Sequence, residues 1–165
     1  MTMENNFKTK IIKIKLGTPK QIAEPSFEND ESNILDEVAS LLINGVEVLV
    51  FNTYLLTPRK ALTLGKKIKQ LCAEFNAILL LKGKADVAFA IKPDAFILDK
   101  DNIDIHLAKE ILGEDCLIGY LGNFDKNNPI KPDFIINGHA ISEKTLVFRI
   151  FETKQNSKTL ILQES

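Results

Sequence analysis

The feature that most constrains this chain is an alternation between short, almost continuously apolar segments and longer segments that carry one apolar stripe. Val46-Glu47-Val48-Leu49-Val50-Phe51, Ala77-Ile78-Leu79-Leu80-Leu81, Ala95-Phe96-Ile97-Leu98 and Cys116-Leu117-Ile118-Gly119-Tyr120 are short and rich in branched side chains. Such runs predict strands covered on both faces. Between them lie helical patterns. Ile34 to Asn44 places Ile34, Val38, Leu41 and Leu42 on one face and stops at Asn44-Gly45. Thr57-Pro58 offers a capping hydroxyl and a first-turn proline to a helix with Leu64, Ile68, Leu71 and Phe75 on one stripe. Lys84 to Ile91 predicts a short helix ended by Pro93, and Asn102 is the expected cap of a helix from Ile103 to about Leu112, terminated by Gly113. Strand, helix, strand, helix with buried strands argues for a parallel sheet wrapped by helices. Ile11 to Leu16 fits as a leading strand, Gln21 to Ser32 as a solvated acidic loop, and residues 1–10 as a flexible amino terminus before a single domain over 11–165.

The carboxyl-terminal third departs from this alternation. Asp133 to Asn137, Leu146 to Phe151 and Thr159 to Leu162 read as strands, but the segments between them are too short or too polar for crossover helices. Antiparallel pairing solves that, and Lys154-Gln155-Asn156-Ser157-Lys158 has the polarity of a hairpin loop. The expected class is therefore α/β, a TIM-barrel-like scaffold shortened relative to the roughly 200 residues or more of a full (β/α)₈ barrel. Apolar strands near the terminus without covering helices call for burial by another chain, so a homodimer is expected.

Charge and cysteine usage limit the partners. Twenty-one basic and 22 acidic residues leave a net charge of −1, with no global field for a nucleic-acid backbone or an anionic membrane. No apolar run approaches the roughly 18 residues of a membrane span, and Met1 to Lys10 is polar, so a cytoplasmic protein is expected. Cys72 and Cys116 sit far apart in apolar stretches and read as buried thiols.

In a parallel α/β sheet or barrel, ligands meet the carboxyl ends of strands, so the loops there carry the candidate chemistry. They supply Asn52, Thr53 and Tyr54; Lys82, Gly83 and Lys84; Asp99, Lys100, Asp101 and Asn102; Leu121, Gly122 and Asn123; and Asn137, Gly138 and His139. Lys82 and Lys84 straddle a glycine, a spacing that could cradle a phosphate. Asp99 and Asp101 are the candidate cation ligands, against the simpler reading that Asp101 and Asn102 cap a helix whose first turn Asp104 stabilises. His139 is the better acid–base candidate because His106 falls inside a helix. No Walker loop, dinucleotide fingerprint or nucleophile–histidine pattern occurs. All eight glycines lie at or before Gly138, so the glycine-rich phosphate loops common late in such barrels cannot be built in the usual way.

Gly45-Val46-Glu47-Val48-Leu49-Val50, Leu71-Cys72-Ala73-Glu74-Phe75, Ala85-Asp86-Val87-Ala88-Phe89-Ala90, Pro93-Asp94-Ala95-Phe96-Ile97-Leu98 and Ile111-Leu112-Gly113 leading to Leu117-Ile118-Gly119 together resemble the thiamine-phosphate synthase/TenI family. The resemblance implies a barrel whose members join a pyrimidine diphosphate to a thiazole phosphate with magnesium, or aromatise the thiazole phosphate. Its functional positions carry different residues here. The family's glutamine falls on Val50, its arginine on Asn52, its glutamate on Thr53 and its lysine on Tyr54. Its N-D-R segment falls on Lys82-Gly83-Lys84, its second metal-binding aspartate on Asn102, its strand-four histidine on Ile97 and its serine on Leu121. A diphosphate-bound dication loses much of its site when both carboxylates become glycine and an amide. The expectation is a divergent relative without the parent synthase activity and without a cofactor, binding a small phosphorylated or heteroaromatic ligand through Asn52, Tyr54, Lys82, Lys84, Asn123 and Asn137. An enzyme with relocated groups would use magnesium and lean on Tyr54, Lys82, Lys84, Asp101, Asn123 and His139. A non-catalytic interaction subunit is the third reading.

Overall fold

The first strand among the described residues forms largely where the sequence suggested a loop. The computed structural model describes residues 20–25, 31–113, 116–122, 127–136, 146–153 and 156–164. Within the stretch read as an acidic loop, Lys20–Ala23 forms β1, paired in parallel with β2 (Val48–Asn52) through Ile22 opposite Val48 and Ala23 opposite Leu49. Acidity in Gln21 to Ser32 begins only at Glu24, so a four-residue strand fits before it. The expected leading strand at Ile11 to Leu16 and the amino terminus over 1–10 lie outside the described residues.

From β2 the predicted alternation holds. Helix α1 (Glu31–Ile43) buries Ile34, Val38 and Leu42, four residues apart. It ends as Gly45 turns to a φ of 97°, with Gly45 N donating to Leu42 O and Val46 N to Leu41 O, the paired bonds of a Schellman stop. Helix α2 (Pro58–Glu74) starts where Thr57 Oγ1 accepts from Lys60 N at 3.2 Å and buries Ala61, Leu64, Ile68 and Cys72. Then follow β3 (Ile78–Lys82), α3 (Ala85–Ile91), β4 (Ala95–Leu98), α4 (Ile105–Leu112), β5 (Leu117–Leu121), β6 (Phe134–Ile136), β7 (Leu146–Thr153) and β8 (Asn156–Glu164). The cap of α4 is a correction to the sequence expectation. Asp104 holds that position and accepts from His106 N at 2.7 Å, because Asn102 is engaged elsewhere and the helix begins two residues later than expected.

The strands close into a barrel in the order β1-β2-β3-β4-β5-β6-β8-β7. All neighbours from β1 to β6 run parallel, β8 continues parallel to β6, and β7 lies antiparallel between β8 and β1. Only residues 154 and 155 separate β7 from β8, too few for a crossover, so the two strands fold as the expected hairpin and this hairpin shuts the barrel.

Alternate residues of each strand serve different layers. Ala23, Leu49, Phe51, Leu79, Leu81, Phe96, Leu98 and Ile118 pack with the buried faces of α1 to α4 in the main core. Val48, Val50, Ile78, Leu80, Ala95 and Ile97 are equally buried but stand outside that cluster, filling the barrel interior. Two aspartates tie strand starts together. Asp94 Oδ2 accepts from Leu79 N at 2.8 Å while Asp94 N donates to Leu79 O, and Asp133 repeats both bonds on Ile118. Each aspartate follows a Lys-Pro pair, Lys92-Pro93 and Lys131-Pro132. Cys72 and Cys116 are buried thiols outside any disulfide; burial and the Asp94 and Asp133 carboxylates push the Cys116 thiol up to about 12, which leaves it unreactive.

Candidate functional site

The carboxyl ends of β1 to β4 converge on the barrel mouth. The last interior position of β3 is Lys82, which ends an otherwise wholly apolar strand and lies opposite Asn52 on β2 and Ile97 on β4. Its side chain is buried, and Nζ donates to Glu24 Oε1 at 3.1 Å. Glu24 directly follows β1 and is itself 8% exposed. The pair thus spans two strands that sandwich β2. Burial raises the Glu24 carboxyl above its usual range, and the Lys82 ammonium draws it only partly back.

Thr53, buried beside them, fastens the loops after β2 and β3. Its N and Oγ1 both donate to Lys82 O, at 2.8 and 2.7 Å. Gly83 follows with a φ of 137°, and a Cβ placed there would overlap Thr53 Oγ1. No side chain fits at position 83 without moving this anchor.

A second polar network lies on the rim. Asn102 Nδ2 donates to Gly83 O at 3.0 Å and to Tyr54 Oη at 3.1 Å, and Tyr54 Oη lies 3.4 Å from Asp99 Oδ2. Asp99 Oδ1 accepts from Asp101 N at 2.9 Å, and Asn52 Oδ1 accepts from Tyr54 N at 3.0 Å. Loops after β2, β3 and β4 are thereby laced to one another. Partial burial lifts the Tyr54 phenol above its ordinary range, with the Asp99 charge adding to it. Tyr120 on β5 is raised for the same reasons, burial first and then Asp99 and Asp101.

The structure brings Asn52, Tyr54, Lys82, Asp99 and Asn102 to one end of the barrel, with the exposed Lys84 at the start of α3. Lys82 and Lys84 do not form one clamp, since the first is buried against Glu24 and the second is exposed. Asp101 is exposed, and among the described residues no group of three or more acidic, histidine or cysteine side chains is placed to share a cation. His106 pairs with Glu110 at 3.0 Å on the open face of α4. Asn123, Asn137 and His139 lie outside the described residues. Sequence reasoning missed Glu24, and it named Thr53 among the loop residues after β2 without its role in fastening that loop to Lys82 O. The signal for Glu24 was available in Lys82, because a lysine closing an Ile-Leu-Leu-Leu strand requires a buried counter-ion from another strand end.

Residues 22–139 match the family model described as "Thiamine monophosphate synthase". Relatives include a thiamine-phosphate synthase from Clostridium perfringens, 28% identical over 53% of this chain and 42% of its own length. Another from Dictyoglomus thermophilum is 31% identical over 52% of this chain and 38% of its own. Among solved structures, the thiamine phosphate pyrophosphorylase from Pyrococcus furiosus superposes with a TM-score of 0.61 at 20% identity, covering 72% of this chain and 59% of that one. In each of these comparisons the matched region covers 38–59% of the related protein's length.

Proposed function

Since this chain belongs to the thiamine monophosphate synthase family, we propose that it is a divergent member without synthase activity, binding a small phosphorylated or heteroaromatic ligand at the barrel mouth. The observation that carries this reading is Gly83. It stands where the family pattern carries a metal-binding aspartate, yet its backbone conformation and the Thr53 hydroxyl against it leave no place for a side chain. The second such position is Asn102, an amide committed to Gly83 O and Tyr54 Oη. Magnesium held between carboxylates and a diphosphate does not fit this donor set, and no step is assigned to it.

Ligand recognition falls to the rim groups Asn52, Tyr54 and Lys84 above Lys82, with Asn123 and Asn137 completing the set on the sequence expectation. A near-neutral chain, net charge −1, favours a small metabolite over nucleic acid or membrane. Among the described residues no helix is long and apolar enough to cross a membrane. We place the protein in the cytoplasm as a homodimer, a state that sedimentation equilibrium reads directly.

The test is a thermal-shift titration with thiazole phosphate, thiamine phosphate and inorganic pyrophosphate, beside complementation of a thiamine-phosphate-synthase-deficient strain. Stabilisation by a thiazole or thiamine phosphate without rescue is the expected result. Rescue overturns the loss of synthase activity. No stabilisation at millimolar ligand overturns the ligand reading.

A further inference from the structure

Helices α3 and α4 leave apolar surface uncovered. Phe89 on α3 is 58% exposed, and Leu107 and Ile111 on α4 are 44% and 36% exposed. The two helices are neighbours on the barrel wall. The Lys67–Glu31 pair shows that the edge of α2 facing the preceding helix carries the residue just before a buried one, here Ile68. Leu107 and Ile111 stand on the same edge of α4, just before the buried Ala108 and the partly buried Leu112, so both look back toward α3. Phe89 follows the buried Ala88 and stands on the opposite edge of α3, toward α4. An apolar patch thus bridges the two helices, away from the barrel mouth. A lone exposed leucine is ordinary, whereas an aromatic grouped with aliphatic neighbours marks an interaction surface.

The charges around the patch select its occupant. Asp86, Phe89 and Lys92 follow one another three residues apart and form a ridge along α3, with Asp86 exposed in the first turn and Lys92 exposed at the carboxyl cap. Asp86 Oδ1 accepts from Val87 N, and neither charge has an ion pair among the described residues. Charge therefore reverses sign about Phe89. A second copy laid antiparallel sets Asp86 of each chain against Lys92 of the other, whereas a uniformly acidic or basic partner repels one of the two. The midpoint between Leu107 and Ile111 also falls in the middle of its helix, so one twofold axis serves both helices. A net charge of −1 puts little repulsion between copies.

We propose that the α3 and α4 face is a twofold interface between copies of this chain, with Phe89 meeting Phe89 at the axis, Leu107 meeting Ile111, and Asp86 pairing with Lys92 at the rim. On a twofold axis each contact is made twice, which is how a small patch becomes an interface. This rests on the homodimer reading above and gives it a surface.

Sedimentation equilibrium on the full chain and on variants whose folding circular dichroism confirms is the test. Phe89→Asp places a charge on the axis at an exposed position and is expected to weaken association about a hundredfold. Asp86→Lys opposes like charges and weakens it about tenfold, and Asp86→Lys combined with Lys92→Asp restores it by exchanging the signs. A native chain that stays monomeric overturns the homodimer and this surface together, and leaves the patch to a different partner. A native dimer that folded Phe89→Asp leaves intact overturns this surface alone. A double variant that associates no better than Asp86→Lys overturns the antiparallel arrangement.

Discussion

Taking away Lys82 alone strands the Glu24 carboxylate among apolar side chains, the costly way to break a buried pair. Lys82→Met is expected to destabilise the fold by about 3 kcal/mol, and the double change Lys82→Met with Glu24→Leu to recover most of that loss. Urea unfolding of both variants checks the order. The same pair sets a pH dependence. Because burial raises the folded-state value of Glu24, the native protein keeps that proton to higher pH than the unfolded chain does. Its contribution is fully present below the ordinary glutamate value of about 4.3 and is lost as pH rises through the raised folded value. The difference in melting temperature between the native protein and Glu24→Gln should therefore change across that window, measured by calorimetry at successive pH values. A flat difference from pH 4 to neutrality would count against the raised value. At this scale the sequence was only half legible. Lys82 and Tyr54 were singled out from their strand-end positions, whereas placing Glu24 beside Lys82 needed knowledge of which strand would stand two places away around the barrel.

Among the elements, boundaries followed local chemistry closely where the end signal was a single cap. Thr57 starts α2 as its hydroxyl-proline signature predicts, and Gly45 stops α1. Thr57→Ala should cost about 1 kcal/mol in unfolding measurements. Four candidates crowd the start of α4, Asp99, Asp101, Asn102 and Asp104, and any could cap by type. Tertiary contacts decided among them, since Gly83 O and Tyr54 Oη claim the Asn102 amide and leave Asp104 to the helix. Asp104→Ala should accordingly destabilise by about 1 kcal/mol through the helix. β1 was missed for a different reason. Four residues with Lys20 and Gln21 among them give too short a pattern to separate from a loop, and the strand exists because β2 and β7 pair with it on either side.

For the whole molecule, the alternating strands and helices and the terminal hairpin were readable because each rests on local pattern and loop length. Closure was not, since it depends on β7 meeting β1 across nearly the entire chain. That contact makes a prediction. Deleting residues 146–164 exposes the edges of β1 and β6 and should convert a discrete species into aggregates on size-exclusion chromatography. The Asp94 and Asp133 bonds carry a further consequence. Each sets a strand's register against its predecessor from the chain itself: one follows α3, and the other follows a connection with no helix among its described residues. If a carboxylate and a proline turn are enough to seat a strand, helices are cladding that a barrel can shed one at a time. Such a wall offers evolution a graded route to smaller barrels, in which covering is lost before strand order is.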